Sequence, residues 1–245
     1  FEEVAHVDTS GDESAPAVFG GRRSACSPTP MGIPLFLFVD TRPGSADATS
    51  IGIHLTDRLD DYSVNCGIAQ DSSPPCERTQ DQVSLSVSTD SVSNSSPALV
   101  VFRDQSYVED TSGSAVYLAL ITGEGASLAA EFELMNETLP GDQHEPAAGH
   151  VTLDSDGGAV LAAWTHDDGT SSTEIRYSLA TAYRQGGMQY SLDPPGGEQT
   201  LSTLTGGDQS QPAVVGLIDA DGERFLVVWR DASGAGADSD LGGLR

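Results

Sequence analysis

Two short acidic stretches contain the residues whose type and spacing could bind a metal ion. Asp154 and Asp156, and likewise Asp219 and Asp221, are separated by one residue and followed by glycine. Calcium prefers several carboxylate and carbonyl oxygens within one tight loop, so these aspartates are the candidate ligands. The D-x-D-G spacing is also typical of a β-hairpin tip, because Asp and Gly accept turn conformations. Neither stretch supplies the further acidic ligands of an EF-hand, so the spacing favours the hairpin, with a calcium site as the alternative.

The cysteines indicate one disulfide and no zinc site. The chain has three, Cys26, Cys66 and Cys76, which allow at most one internal bridge. Cys66 and Cys76 bracket the loop-like segment GIAQDSSPP, across which closure is geometrically easy, so we predict that they pair and leave Cys26 over. Other pairings stay open, because spacing does not fix connectivity. No second C-x-x-C and no neighbouring histidine completes a zinc site.

Motifs for catalysis are missing from the sequence. We find no nucleophile elbow, no phosphate-binding loop and no dinucleotide fingerprint. His144, Glu145 and His150 approach the H-E-x-x-H motif of zinc proteases, but two extra residues separate the histidines and Pro146 interrupts the required helix. The sequence therefore favours a protein without enzymatic activity. Paired carboxylates of the kind that hydrolyse glycosides remain an alternative, since 37 acidic residues supply many pairs.

The charge of the chain narrows the classes of partner. The 245 residues carry a formal net charge of −26, and all 11 basic residues are arginine. Such a surface repels a phosphate backbone, which argues against a nucleic-acid partner. The longest apolar stretches, such as Ile33 to Val39, have the length of a strand and fall short of a membrane span.

A repeated pattern organises the rest of the chain. Short apolar strands end in an aromatic residue at Phe38, Phe102, Trp164 and Trp229, at intervals of 64, 62 and 65 residues. The segment Gly-Asp-x-x-x-Pro-Ala precedes three of these strands, where proline suits the first residue of a strand. Gly, Asp and Ser turns separate further short strands, and no segment sustains a helical period. The sequence therefore predicts an all-β protein built from repeats.

The central strand of each repeat is apolar at consecutive positions, as in FLVVW. A strand with one face in water would alternate, so both faces of each sheet must be covered. Small antiparallel sheets stacked around an axis provide that cover, which predicts a β-propeller of about four blades with a repeat near 60 to 65 residues. We expect one domain, 1–245, with blades at 12–80, 81–140, 141–206 and 207–245, the last completed by 1–11. The alternative is a two-sheet β-sandwich.

The best-preserved repeat, Pro212 to Asp231, reads PAVVGLIDADGERFLVVWRD. It resembles the tandem repeats of secreted bacterial β-propeller-like proteins, although no true Asp-box of the form S-x-D-x-G-x-T-W is present. The resemblance implies a secreted, periplasmic or cell-surface scaffold and no particular activity. We therefore expect a non-catalytic structural or protein-interaction module, with a protein partner in a larger assembly. The alternative is a carbohydrate-binding or glycoside-active propeller that uses its acidic loop face.

Overall fold

The computed structural model describes residues 12–23, 32–41, 49–55, 61–63, 69–70, 80–87, 98–104, 114–124, 127–136, 141–154, 157–169, 172–186, 189–193, 196–201, 207–220, 222–232 and 240–244. All regular structure among these residues is β-strand. The prediction of an all-β protein is therefore confirmed. None of the described residues belongs to a helix long and apolar enough to cross a membrane.

The first two sheets use the first half of the chain, and neighbouring strands are antiparallel and consecutive in sequence. Sheet 1 contains β1 (Asp12–Arg23), β2 (Gly32–Thr41), β3 (Thr49–Leu55), β4 (Asp61–Ser63) and β5 (Ala69–Gln70). Sheet 2 contains β6 (Gln80–Val87), β7 (Ala98–Asp104), β8 (Ala115–Glu124) and β9 (Ser127–Leu134). Each sheet is therefore a meander, in which every hairpin returns the chain beside the strand that it has just left.

The second half of the chain repeats this arrangement. Sheet 3 contains β10 (Asp142–Asp154), β11 (Gly157–Asp167), β12 (Glu174–Gly186), β13 (Gln189–Asp193) and β14 (Gln199–Thr200), the last paired with β12. Sheet 4 contains β15 (Gln209–Asp219), β16 (Gly222–Asp231) and β17 (Asp240–Leu244). The described strands thus form four separate open sheets, where a simple sandwich would have two.

The aromatic-ended strands predicted from the sequence are the second strands of the four sheets, β2, β7, β11 and β16. In sheet 3 the prediction that both faces are covered is confirmed, because every residue of β11 from Val160 to His166 is buried. Val160, Ala162 and Trp164 lie in an apolar cluster with residues of sheet 2. Leu161 and Ala163, on the other face, lie in a cluster with residues of sheet 4.

Consecutive sheets pack face to face along the chain. Strand β6 lies against β1, β2 and β3, strand β10 lies against β6 and β7, and strand β15 lies against β10 and β11. The first strand of each later sheet therefore makes the principal contact with the sheet before it. This order places the third sheet between the second and the fourth.

The prolines of the repeated Pro-Ala segment sit inside strands. The sequence predicts them at the first residue of a strand, but Pro146 and Pro212 lie within β10 and β15, where the register shifts by a bulge. A bulged residue makes no ladder hydrogen bond, so a proline without an N–H is tolerated there. The preceding residues, Glu145 and Gln211, adopt φ of 51° and 56°. The same left-handed kink therefore recurs in two sheets, at a cost of about 1 kcal/mol each for a non-glycine residue.

Both D-x-D-G stretches are hairpin tips in the backbone. Asp154 pairs with Gly157 and Asp219 pairs with Gly222, which leaves two residues in each loop. Gly222 has φ of 116°, a conformation that side chains other than glycine rarely adopt. The hairpin prediction is confirmed for both stretches.

A glycine in β15 allows sheets 3 and 4 to approach closely. A Cβ placed on Gly216 would lie 1.8 Å from the backbone carbonyl oxygen of His150 in β10. No side chain can occupy that space unless the two strands separate. We predict that Gly216→Ala lowers the free energy of unfolding by about 2 to 3 kcal/mol, the usual cost of overpacking a rigid contact.

Urea denaturation followed by far-ultraviolet circular dichroism measures this loss. Gly196→Ala is the matched control, because a Cβ at the exposed Gly196 meets no atom within 4 Å. An equal loss of stability in the two variants would contradict the close approach of β10 and β15.

Candidate functional site

The junctions between sheets share one polarity. Trp164 of β11 lies in a cluster with Leu99 and Val101 of sheet 2. Trp229 of β16, at the matching position of sheet 4, lies in a cluster with Leu161 and Ala163 of sheet 3. In both junctions the face that carries the aromatic residue packs onto the sheet that precedes it. The opposite face of each sheet receives the sheet that follows.

The aromatic residues contribute apolar volume to these junctions. Trp164 is fully buried and Trp229 nearly so, and neither indole N–H has an acceptor in the structure. Phe102 occupies the matching position in sheet 2 and is also buried. Since the ring makes no hydrogen bond, either phenylalanine or tryptophan can occupy the matching strand position.

A hydroxyl group fastens each later junction at the end of the strands. Ser114, directly before β8, donates its Oγ proton to the carbonyl oxygen of Gln143 at 2.9 Å and accepts from the Gln143 amide at 2.7 Å. Thr173, directly before β12, does the same with Gln209: its Oγ1 donates to the Gln209 carbonyl at 2.7 Å and accepts from the amide at 3.0 Å. We call these paired bonds the hydroxyl latches. Each satisfies two polar backbone groups at a junction.

The amide side chain of Gln143 extends the first latch into the sheet. Its Nε2 donates to the Gly141 carbonyl at 3.1 Å, and its Oε1 lies 3.1 Å from Nδ1 of His166. Burial, and then the positive charge of Arg176, lower the pKa of His166 below its usual value of 6.5. Folding therefore favours the neutral imidazole, and this contribution to stability is lost as pH falls below 6.5.

Charged side chains bridge neighbouring sheets beside the latches. Arg103 of sheet 2 donates to Nδ1 of His144 in sheet 3 at 2.8 Å. Glu145, at the left-handed bulge of β10, accepts from the Gln211 amide of sheet 4 at 2.8 Å and from the Thr165 hydroxyl at 3.2 Å. The residues that approach the H-E-x-x-H motif thus lie on a strand and contribute to junctions between sheets.

One carboxyl group in sheet 3 is buried without a hydrogen-bond partner. Both carboxylate oxygens of Glu198 are buried and unpaired, directly before β14. Burial raises the pKa of Glu198 to about 7, the nearby Arg176 opposes this shift, and Glu174 adds to it. Arg176 is itself ion-paired with Glu174, which explains why its charge does not offset the burial of Glu198. A carboxylic acid that is partly protonated near neutral pH is the property that a general acid requires.

The hydroxyl groups of the latches are not arranged for catalysis. A nucleophilic serine or threonine needs a base that accepts its proton. The hydroxyls of Ser114 and Thr173 instead donate to backbone carbonyl oxygens. His166 lies against the amide of Gln143. These groups hold sheets together.

The second face of sheet 4 carries an uncovered apolar stripe. Since side chains alternate along a strand, Leu226 and Val228 of β16 lie on the face opposite Val227 and Trp229. Cross-strand pairing in the same sheet places three residues of β15 beside them. We call the stripe the outer face of sheet 4; it consists of Ala213, Val215, Leu217, Leu226 and Val228. Val215 is 47% exposed and Val228 is 38% exposed.

The structure places the predicted site residues at hairpins or outside the described residues. Asp154 and Asp219 are the last residues of β10 and β15. Asp156, Asp221, Cys66 and Cys76 fall outside the described residues, so the calcium and disulfide hypotheses remain predictions. Within the part of the chain that the structure describes, no three His, Cys, Asp or Glu side chains group closely enough to hold a metal.

The sequence reasoning missed both the hydroxyl latches and Glu198. A signal for the latches exists, because the residue before the third strand of sheets 2 and 3 is Ser114 or Thr173, and Gln is the second or first residue of the partner strand. No motif marks Glu198 among the 37 acidic residues, since its environment depends on how β14 returns to β12.

Comparison with known proteins found no relative of this chain. The chain matches no protein-family model, no curated protein and no solved structure.

The Thr173 latch can be tested by removing its hydroxyl while keeping the shape of the side chain. We expect Thr173→Val to lower the free energy of unfolding by about 1 to 2 kcal/mol, because the Gln209 carbonyl loses its donor. Thr173→Ser keeps the hydroxyl and should retain most of the stability. Urea denaturation of both variants measures the difference, and equal stability of the valine and serine variants would rule out the latch.

The buried carboxyl group predicts an unusual dependence of stability on pH. Between pH 4.5 and about 7 the folded protein binds more protons at Glu198 than the unfolded chain does, so its stability falls as pH rises through this window. We expect Glu198→Gln to raise the free energy of unfolding by about 1 kcal/mol at alkaline pH, after allowance for solvent screening. The gain should disappear below pH 4.5.

Denaturation across this pH range gives the measurement. Glu223→Gln, on the exposed part of β16, is the control and should change stability by less than about 0.5 kcal/mol. A gain for Glu198→Gln that is the same at acidic and alkaline pH would contradict the burial of this carboxyl group.

Proposed function

We propose that this chain is a non-catalytic structural or protein-interaction module of a larger extracellular assembly. The observation that carries the proposal is the outer face of sheet 4. It leaves an apolar stripe, with Val215 47% exposed, at the end of a stack of sheets whose other described junctions are buried. Contiguous apolar surface that the fold leaves open is characteristic of an interface with a partner.

In this proposal the four sheets are consecutive blades of a β-propeller. Support comes from the shared polarity of the junctions and from the hydroxyl latches, which repeat as neighbouring blades would. Among the described strands, sheet 4 has three, whereas each of the other sheets has four or five. Residues 1–11, which lie outside the described residues, would supply a fourth strand, from the same chain in a closed ring or from another copy in an assembly. Propellers build their scaffold from such four-stranded sheets.

Several features support a scaffold over an enzyme. The hydroxyl groups of Ser114 and Thr173 at the junctions of sheets 2, 3 and 4 are engaged with backbone groups. Asp104 and Asp231, which precede the acidic loops after the aromatic strands, are buried, with 1% and 5% of their surface exposed. A location outside the cytoplasm rests on the resemblance to secreted repeat proteins and on the predicted Cys66–Cys76 bridge. Calcium bound by the four hairpin aspartates remains an accessory hypothesis within this proposal.

A second candidate function is binding or hydrolysis of carbohydrate. The observation that favours it is Glu198, whose pKa is raised to about 7 by burial beside the Glu174–Arg176 pair. Glycosidases use one protonated and one ionised carboxyl group, and an acid with such a raised pKa suits the first role. In this reading Glu198 is the proton donor and Glu174 is the candidate partner carboxylate.

A glycan array and a panel of glycoside substrates separate the two functions. We expect the protein to show no specific sugar binding and no turnover, because the hydroxyl groups of Ser114 and Thr173 bond backbone groups across the junctions between sheets. Glu198→Gln is the matched variant. Turnover by the natural protein that Glu198→Gln abolishes, while the variant remains folded, would replace the first proposal with the second.

A further inference from the structure

The outer face of sheet 4 matches a face of sheet 3 whose partner the structure shows. By register from the two tryptophans, Val228 corresponds to Ala163 and Leu226 to Leu161. In the first strands of the two sheets, Ala213 corresponds to Ala147 in the same register. The face of sheet 3 with these residues receives Val227 and Trp229 of sheet 4. The outer face of sheet 4 is therefore a receiving face of the same kind.

The two receiving faces differ in their exposure to solvent. Ala163 is fully buried beneath sheet 4, whereas Val228, in the matching position, is 38% exposed. Gly149 is buried, whereas Val215, its counterpart in β15, is 47% exposed. The side chains on the open face are also larger than those on the covered face. Sheet 4 thus presents more apolar surface than sheet 3 does, and no described strand covers it.

Polar parts of the junction also repeat at the open end. On sheet 3, Glu145 at the left-handed bulge reaches the backbone of the next sheet. Gln211 stands at the same bulge of sheet 4, with the same backbone conformation, and is exposed. In sequence, a hydroxyl residue, Ser239, precedes β17 as Ser114 precedes β8 and Thr173 precedes β12. Sheet 4 therefore repeats the receiving half of a junction in its apolar and its polar positions.

By register, sheet 1 carries the residue types of the complementary half. In sheets 3 and 4 the face that carries the aromatic residue packs onto the sheet before it, and sheet 1 is the first of the described sheets. Its strand β2 carries Phe36 and Phe38 at the register positions of Val227 and Trp229. Val18, paired with Phe36, corresponds to Val214, which is paired with Val227. In the described residues the strands of sheet 1 lie against β6, and none packs extensively against sheet 4.

We propose that the outer face of sheet 4 binds sheet 1 of a second copy of this chain, in a head-to-tail contact that repeats the junction between sheets 3 and 4. This rests on the proposed function, since it identifies the protein partner of the interaction module. The contact joins two different surfaces, so it is heterologous, and the rotation between copies decides whether a ring or a filament results. Side chains alternate along a strand, so Arg224 and Arg230 lie on the same face as Leu226 and Val228. Their positive charges reduce the repulsion between two copies that each carry a formal net charge of −26.

The first test measures the mass of the full chain in solution by analytical ultracentrifugation over a range of concentrations. We expect the natural protein to sediment above its monomer mass of 25.4 kDa, with the mass rising with concentration. The double variant Val215→Arg with Val228→Arg should remain at 25.4 kDa, because two charges are placed in the contact. Both positions are exposed, so circular dichroism should show an unchanged fold.

Ile218→Arg is the matched control for that experiment. Ile218 is 68% exposed and pairs with Glu223, which puts it on the face of sheet 4 that carries Trp229. It should associate as the natural protein does. A natural protein that stays monomeric at every concentration, through closure of sheet 1 onto its own sheet 4 or for any other reason, would overturn the second-copy contact. Sugar binding or turnover, by contrast, is what would overturn the proposed function.

The second test determines the orientation of the contact. An affinity-tagged double variant, Val215→Arg with Val228→Arg, keeps sheet 1 intact and is mixed with untagged natural protein. In a head-to-tail contact its sheet 1 still binds the outer face of natural sheet 4, so the tag should retain the natural chain. If tagged natural protein retains the natural chain and the tagged double variant does not, copies meet through sheet 4 alone, and the head-to-tail proposal is wrong.

Discussion

The need to cover consecutive apolar residues on both faces of each central strand governs the rest of this structure. A segment such as FLVVW cannot lie on a sheet with one face in water without exposing half of its side chains. In β11 the need is met, and Val160 to His166 are all buried between sheets 2 and 4. The sheets must therefore stack. The distance to which two pleated backbones can approach then decides which residues fit at the junctions. Gly149 and Gly216 lie where β10 and β15 meet, because the space between the two strands has no room for a side chain there.

Stacked sheets leave polar backbone groups at the ends of their strands, and these groups must be satisfied away from water. The chain solves this with a hydroxyl residue in front of the third strand, which bonds both the amide and the carbonyl of a glutamine in the next sheet. The left-handed bulge at Glu145 adds a carboxylate that reaches the backbone of Gln211. Apolar contact holds the sheets together, and these polar bonds fix how one sheet is placed on the next.

A stack of sheets with directional junctions has two unlike ends, and this connects the architecture with the proposed interaction. The aromatic strand faces backward along the chain in sheets 3 and 4, so sheet 4 ends with a receiving face. Covering that face with sheet 1 of the same chain would make a closed propeller, and covering it with sheet 1 of another copy would make an assembly. Val215 and Val228 are partly exposed. The outer face of sheet 4 is therefore a stronger candidate site than any buried polar group among the described residues.

Local sequence determined the strands, their order and the hairpins, because alternation, apolar runs and Asp-Gly turns act over a few neighbouring residues. The aromatic residues at intervals of 64, 62 and 65 predicted the second strand of each sheet, and the D-x-D-G stretches predicted two hairpin tips. Proline was misplaced at the start of strands, since a bulge depends on a partner strand that sequence alone does not reveal. Tertiary structure decided the rest: Glu198 became an unpaired acid, Ser114 and Thr173 became latches, and one apolar face stayed open. Each depends on residues brought together from distant parts of the chain, and no local pattern records which surfaces will meet.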